Sequence, residues 1–395
     1  MGFRNEKGIN RPIAAGAARP VWSLFCRVVD NFGDIGVCWR LARTLSLHHH
    51  VAVHLWLDVP AAMHDLCPPS RDRTLPFELD GVRVHHWQDY VAGDDGEVVI
   101  EAFACELPAA CVAAMAQAPR PPLWINLEYL TAESWIGDFH CQRSPHPRLP
   151  LLKHFFFPGF TAASGGLLRE PDLFAQRDAW RADTLAQRRF LARLGGGGEP
   201  GTRRISLFAY PQAQLGALLD CWAYGNEPVL VFVPDGRVTA DIAAYFGVAE
   251  VAVGSVLRRG ALEVRRVPFL SQDDYDRLLW VCDLNFVRGE DSFVRAQWAA
   301  RPFVWHIYPQ DEDAHRIKLD AFIARFSSVV PPAAGQAFAT MLRAWNGFGD
   351  VAEAWRAWTA QREALEKAAQ QWAATLAQQP DLAAALVKFS QTRVK

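Results

Sequence analysis

The chain has 395 residues, 50% hydrophobic and 21% charged, a composition that excludes wholesale disorder and a length that exceeds what one core usually organises, so two domains are expected. Lysine plus arginine number 41 and aspartate plus glutamate 43, a net charge of −2 that excludes a general nucleic-acid binder, which needs surplus cations to displace counterions. No membrane span is expected, because the most apolar stretch, 98–118, carries Glu101 and Glu106.

Residues 1–20 show no periodicity and lack the apolar block of a signal sequence, so they read as a flexible N-terminal extension. Order begins with the strand-like VWSLFCRVV (21–29), stops at the turn formers Asp30, Asn31, Phe32, Gly33 and Asp34, and resumes as a helix over 35–47. VAVHLWL (51–57) follows as a strand, completing a βαβ unit of a parallel sheet. VVIEAF (98–103), a helix near 107–117 and PLWIN (122–126) repeat the pattern. The glycine run 195–201 formally contains G-x-G-x-x-G, but a strand follows it where a dinucleotide site needs a helix, so it reads as linker. RISLFAY (204–210), PVLVFVP (228–234), VRRVPFL (264–270), DLNFV (283–287) and PFVWHIY (302–308) form a second doubly wound series. A long helical segment over 351–379 carries Trp355, Trp358, Leu365, Ala369, Trp372 and Leu376 on one face, an aromatic stripe expected to brace the domains.

The expected architecture is therefore α/β and GT-B: two Rossmann-like doubly wound domains facing across a cleft. Its parts are the extension 1–20, an acceptor-binding domain 21–180, a linker region 181–201, a nucleotide-sugar-binding domain 202–350 and bracing helices 351–395, the last packing back on the first domain. Eight scattered cysteines without a CxxC pair, and no secretory signal, point to buried reduced thiols in a cytoplasmic protein. Most of the fifteen tryptophans are assigned to core or interdomain packing.

Ligands of open α/β sheets sit beyond the carboxyl ends of the strands, which singles out three loops. Asp30 and Asp34 flank a turn beside a cleft; Asp34 can cap its helix, while the pair can clamp a cation or act as a base. Gly33 and Gly36 allow close backbone approach. Arg288-Gly289-Glu290-Asp291-Ser292 follows a strand and opens a helix, where Ser292 can serve as N-cap and Arg288 with the helix N–H groups can hold phosphate. Phe269 and Tyr275 can sandwich a planar base while Gln272 reads its polar edge, with Phe208 and Tyr210 as further wall; core packing is the competing reading for Phe269. The tract His48–His50 reads as a solvated helix end, and His306, His315 and the acidic run 311–313 as polar surface.

VVDNFGDIGVCWRLAR (28–43), WINLEYLTAESW (124–135), KHFFFPGF (153–160), GGLLRE (165–170), VPFLSQDDYDRLLW (267–280) and FVRGEDSFVRAQWA (286–299) resemble the EarP family of protein-arginine rhamnosyltransferases acting on elongation factor P. The resemblance runs in order from about residue 22 to 330. It implies the GT-B fold, dTDP-β-L-rhamnose as donor, inversion at the anomeric carbon and no metal or other cofactor. By position it implies Asp30, Asp34 and Glu290 as catalytic acids. It likewise implies Phe208, Tyr210, Phe269, Gln272, Tyr275, Arg288, Asp291 and Ser292 as donor-binding residues, with the backbone of Asn31, Phe32 and Gly33 near the donor. The extension before Trp22 departs from the family pattern. Two other readings stand beside this one: a GT-B transferase with a small-molecule or glycan acceptor, and a nucleotide-sugar-binding module without turnover.

Overall fold

The computed structural model describes residues 19–28, 33–93, 96–310 and 313–394. The expected extension 1–20 therefore lies, through residue 18, outside the described residues, as do Asp30, Asn31 and Phe32.

The first lobe is built on β1 (Val21–Cys26), β2 (Ala52–Leu57), β3 (Phe77–Leu79), β4 (Val82–His86), β5 (Val98–Ala102), β6 (Leu123–Leu127), β7 (Arg143–Pro145) and β8 (Leu152–Phe156). Their spatial order is β3-β4-β2-β1-β5-β6-β8-β7, parallel except for the edge strands β3 and β7. Strand β1 pairs in register with β2 and β5, Phe25 lying between Trp56 and Glu101. Such a strand is covered on both faces, which is why VWSLFC is apolar almost throughout and nearly all buried.

The second lobe repeats the plan with β9 (Arg203–Leu207), β10 (Val229–Val233), β11 (Val256–Arg259), β12 (Leu262–Arg266), β13 (Leu284–Arg288) and β14 (Phe303–His306). The order is β11-β12-β10-β9-β13-β14, with only β11 antiparallel among these strands. In both sheets the strand order reverses beside the first strand, between β1 and β5 and between β9 and β13. Those two switch points, where doubly wound sheets take their ligands, open toward one interlobe cleft. The architecture is GT-B.

Two expectations about the connecting segments change. The region 181–201 is largely helix rather than linker: Thr184–Arg193, capped by Asp183 accepting from the Ala186 N–H, buries Phe190 and Leu191 against Leu230, Phe232 and Leu278. The preceding helix, Leu173–Ala182, also fastens to the second lobe, with Arg177 donating to the Trp298 carbonyl and Arg181 to that of Trp280. The segment 351–379 is two helices, Val351–Ala360 and Arg362–Leu376, meeting at Gln361. Their tryptophans 355, 358 and 372 enter the second lobe's core, whereas the last helix, Leu382–Arg393, buries Leu382 and Leu386 in the first lobe's core. The bracing role is thus divided between lobes.

Behind the cleft, the helix Gly33–His49 presses on the second lobe. Arg40, 2% exposed, donates Nε to Asp291 Oδ1 at 2.9 Å and its terminal nitrogens to both oxygens of Asp276 at 3.1 Å. Arg295, also buried, binds Asp276 and Glu170 from the other side. Gly36 permits this approach: a Cβ there would lie 3.3 Å from Gln272 Nε2. The described cysteines are all free, with Cys26, Cys38, Cys105, Cys111 and Cys282 buried. No helix among the described residues is long and apolar enough to cross a membrane.

Candidate active site

Two adjoining cavities occupy the cleft and share Gly33, Gly289 and Glu290. The first is lined by Phe208, Phe269, Gln272, Tyr275, Arg288, Asp291 and Ser292, seven of the eight residues expected around the donor. The eighth, Tyr210, lines the second cavity together with Asp34 and Glu290.

In the first cavity, β9 and β13 end side by side and deliver an aromatic wall and a cation to one place. The Arg288 guanidinium lies 4.5 Å from the Phe208 ring centre and 4.7 Å from that of Tyr210, within cation–π range. Phe208 also meets Tyr275 edge-on at 5.7 Å. Among the described residues, Arg288 Nη1 and Gln272 Oε1 are buried without hydrogen-bond partners, a costly state in a closed core and a natural one in a site completed by a polar ligand. His306 at the end of β14 packs edge-on against Tyr210, and burial together with the Arg288 charge pushes its pKa down to about 4. It is neutral and buried, as His315 is buried, so the surface assignment of these two histidines is corrected.

The RGEDS loop turns at Gly289, whose φ of +60° lies in the left-handed region that favours glycine. The cap of the helix Asp291–Trp298 is Glu290, with no side-chain hydrogen bond, so the helix starts with unsatisfied N–H groups beside Arg288. Ser292 is not that cap, as it had been read. Its hydroxyl folds back onto the Arg288 backbone, accepting from the N–H at 3.1 Å and donating to the carbonyl. Asp291 lines the cavity, yet its Oδ1 is taken by Arg40, a partner 251 positions away. Gln272 likewise gives its Nε2 to the Gly36 carbonyl at 2.8 Å, leaving Oε1 to face a ligand. Gly36 thus accommodates the other lobe rather than a substrate.

In the second cavity, Asp34 occupies the first turn of its helix, where the dipole favours a carboxylate, and is buried. Tyr129, within WINLEYLTAESW (124–135) and not among the expected site residues, donates its hydroxyl to Asp34 Oδ1 at 3.3 Å. The next residue, Leu130, donates its backbone N–H to Glu290 Oε2 at 2.9 Å. Burial pushes the Glu290 carboxyl up to about 8, with the charges of Asp34 and Asp291 adding to the rise and the Leu130 hydrogen bond opposing it. Lys318 and Tyr308, also unmarked by the sequence, line this cavity. Asp34 and Glu290 come together as expected, and Asp30 lies outside the described residues. Among the described residues no group of three or more His, Cys, Asp or Glu side chains is arranged to hold a metal ion.

A family model described as "Elongation-Factor P (EF-P) rhamnosyltransferase EarP" matches residues 22–391. A protein-arginine rhamnosyltransferase of Pseudomonas putida is 50% identical over 372 residues, 94% of this chain and 98% of the relative. One from Pseudomonas aeruginosa is 49% identical over 369 residues, 93% of this chain and 98% of that one. Among solved structures, one described as the structural basis for EarP-mediated arginine glycosylation of translation elongation factor EF-P is 38% identical. It covers 95% of this chain and 100% of its own, with a TM-score of 0.70.

Proposed function

Since the chain belongs to the EarP family of elongation-factor P rhamnosyltransferases, we propose that it moves L-rhamnose from dTDP-β-L-rhamnose to one arginine side chain of elongation factor P. Transfer takes place in the cytoplasm, with inversion and without a metal. The observation that carries this reading is the convergence of Asp34 and Glu290, one acid from each lobe's switch point, on one cavity that adjoins a cation-lined aromatic pocket.

A guanidinium has a pKa above ~12 and delocalised lone pairs, so it is a poor nucleophile until a carboxylate orients it and accepts a proton. Asp34 takes that proton from one Nη as the Nη–C1 bond forms, while Asp30 clamps the guanidinium. The C1–O bond to the diphosphate breaks, and the diphosphate leaves with the electron pair. Arg288 and the uncapped N–H groups of the helix Asp291–Trp298 neutralise it. Phe208, Phe269 and Tyr275 supply the aromatic wall for thymine, and Gln272 Oε1 an acceptor for its imide N–H.

The division of labour between the acids follows from their protonation. With a carboxyl pushed up to about 8, Glu290 is mostly protonated near neutral pH in the empty cleft and is a poor base there. It donates a hydrogen bond to the donor sugar instead. Entry of the cationic acceptor favours its ionised form, the proton passing to solvent, and the carboxylate then stabilises the oxocarbenium-like positive charge at C1.

Incubation of the protein with elongation factor P and dTDP-rhamnose should add a single deoxyhexose to one arginine, read by intact-mass and fragment spectra. Asp34→Asn should abolish the addition while dTDP still binds. No mass gain from a folded, dTDP-competent enzyme refutes the reading.

A further inference from the structure

The Tyr129-Leu130 pair at the exit of β6 touches both acids, the side chain of one residue reaching Asp34 and the backbone of the next reaching Glu290. Tyr129 is 42% exposed, so its ring contributes little to the core and its placement needs another cause. The ring stacks on Phe103 at 4.4 Å and 16°. Phe103 and Ala104 leave β5 with φ of +56° and +51°, the left-handed region that non-glycine residues rarely adopt and that clusters at functional sites. Glu101 holds this turn: its Oε1 accepts from the Glu106 N–H at 3.0 Å, and its Oε2 is fixed by Trp124 Nε1 at 3.0 Å and Lys153 Nζ at 2.8 Å. A buried acid, a strained turn and a ring stack thus converge on the direction of one phenolic hydroxyl. That phenol remains a donor, because burial and the charges of Asp34 and Glu290 raise its pKa.

We propose that Tyr129 is a positioning residue for the transfer reaction: its hydroxyl, aimed by the Phe103 stack, holds the Asp34 carboxylate in the orientation from which it receives the acceptor's proton. The inference rests on the reading of Asp34 as base. Facing Asp34 are Cys38 on its own helix, Cys26 on β1, Glu290 from the second lobe and Lys318 across the cavity. Tyr129 is the phenol that hydrogen-bonds it.

Tyr129→Phe keeps the stack and removes only the hydroxyl. A hydrogen bond to a charged group is worth enough that kcat should fall on the order of tenfold, with acceptor KM and dTDP affinity within about twofold. Because the lost bond stabilised the charged carboxylate, the acid limb of the kcat/KM profile should move to higher pH. An unchanged kcat, or a reduced kcat with an unmoved acid limb, overturns the proposal. Asp34→Asn, assayed in parallel, separates the two readings: an active Asp34→Asn enzyme defeats the base assignment. An inactive one beside an unaltered Tyr129→Phe enzyme defeats the positioning role alone.

Discussion

At the first lobe's switch point the acids arrive with partners: Asp34 receives the Tyr129 hydroxyl, and Glu290, though carried by the second lobe, receives the first lobe's Leu130 N–H. At the second lobe's switch point Arg288 Nη1 and Gln272 Oε1 are buried with none among the described residues. The same doubly wound frame therefore serves two ends. One edge is preorganised, its acids oriented before substrate comes, which in the proposed transfer spares reorganisation during the reaction. The other is left polar and incomplete, so that a ligand's hydrogen bonds add to affinity instead of replacing existing ones.

The sharpest way to break this contrast is to exchange its consequences. Asp34→Asn should lower kcat by at least about a thousandfold with dTDP affinity unchanged, whereas Arg288→Met should weaken dTDP binding tenfold or more, both read by calorimetry and single-turnover assay. Weakened dTDP binding by Asp34→Asn would erase the distinction. Next in size is the joint between the regions. Arg40→Met strands Asp276 and Asp291 beside Arg295, and breaking such a buried network should cost about 3–5 kcal/mol in denaturant unfolding. A loss under about 1 kcal/mol would mean that the lobes do not depend on it.

A pH-dependent effect concerns Glu290. Its folded pKa is raised above the unfolded value, so the folded state binds the extra proton between those values and stability falls as pH rises through about 8. Glu290→Gln, neutral throughout, should match the wild-type melting temperature near pH 5 and exceed it by pH 9, a gap visible in paired thermal scans. Parallel curves would place the carboxyl in a wetter setting than its burial implies.

What the sequence displays of this arrangement follows physical range. The βαβ runs around 21–57 and 204–234 are local patterns of apolar residues and turn formers, and they fold as their patterns imply. The cleft-lining aromatics and RGEDS were legible because each lies just beyond a strand's carboxyl end. The helix Thr184–Arg193 was obscured by a sequence, TLAQRRFLAR, that is polar on most sides and buries few residues. The break at Gln361 carries no proline or glycine, and both helices bury their tryptophans in the same core, so nothing local announces it. Nothing near Asp291 in sequence announces its bond to Arg40, and Ser292 suggests a cap by its type, whereas its register places Glu290 there. Tyr129 acts through a contact 95 positions away, a pairing no local pattern encodes.

The last helix has a consequence for how the molecule comes into being. Leu382, Ala383 and Leu386 fill the core of the lobe that begins at Val21, and the Leu382 N–H is received by the Leu167 carbonyl. A ribosome delivers the chain from its amino end, so part of the earliest-made core stays open until the whole second lobe has been synthesised. Only when Leu382–Arg393 emerges does the older half acquire this part of its cover.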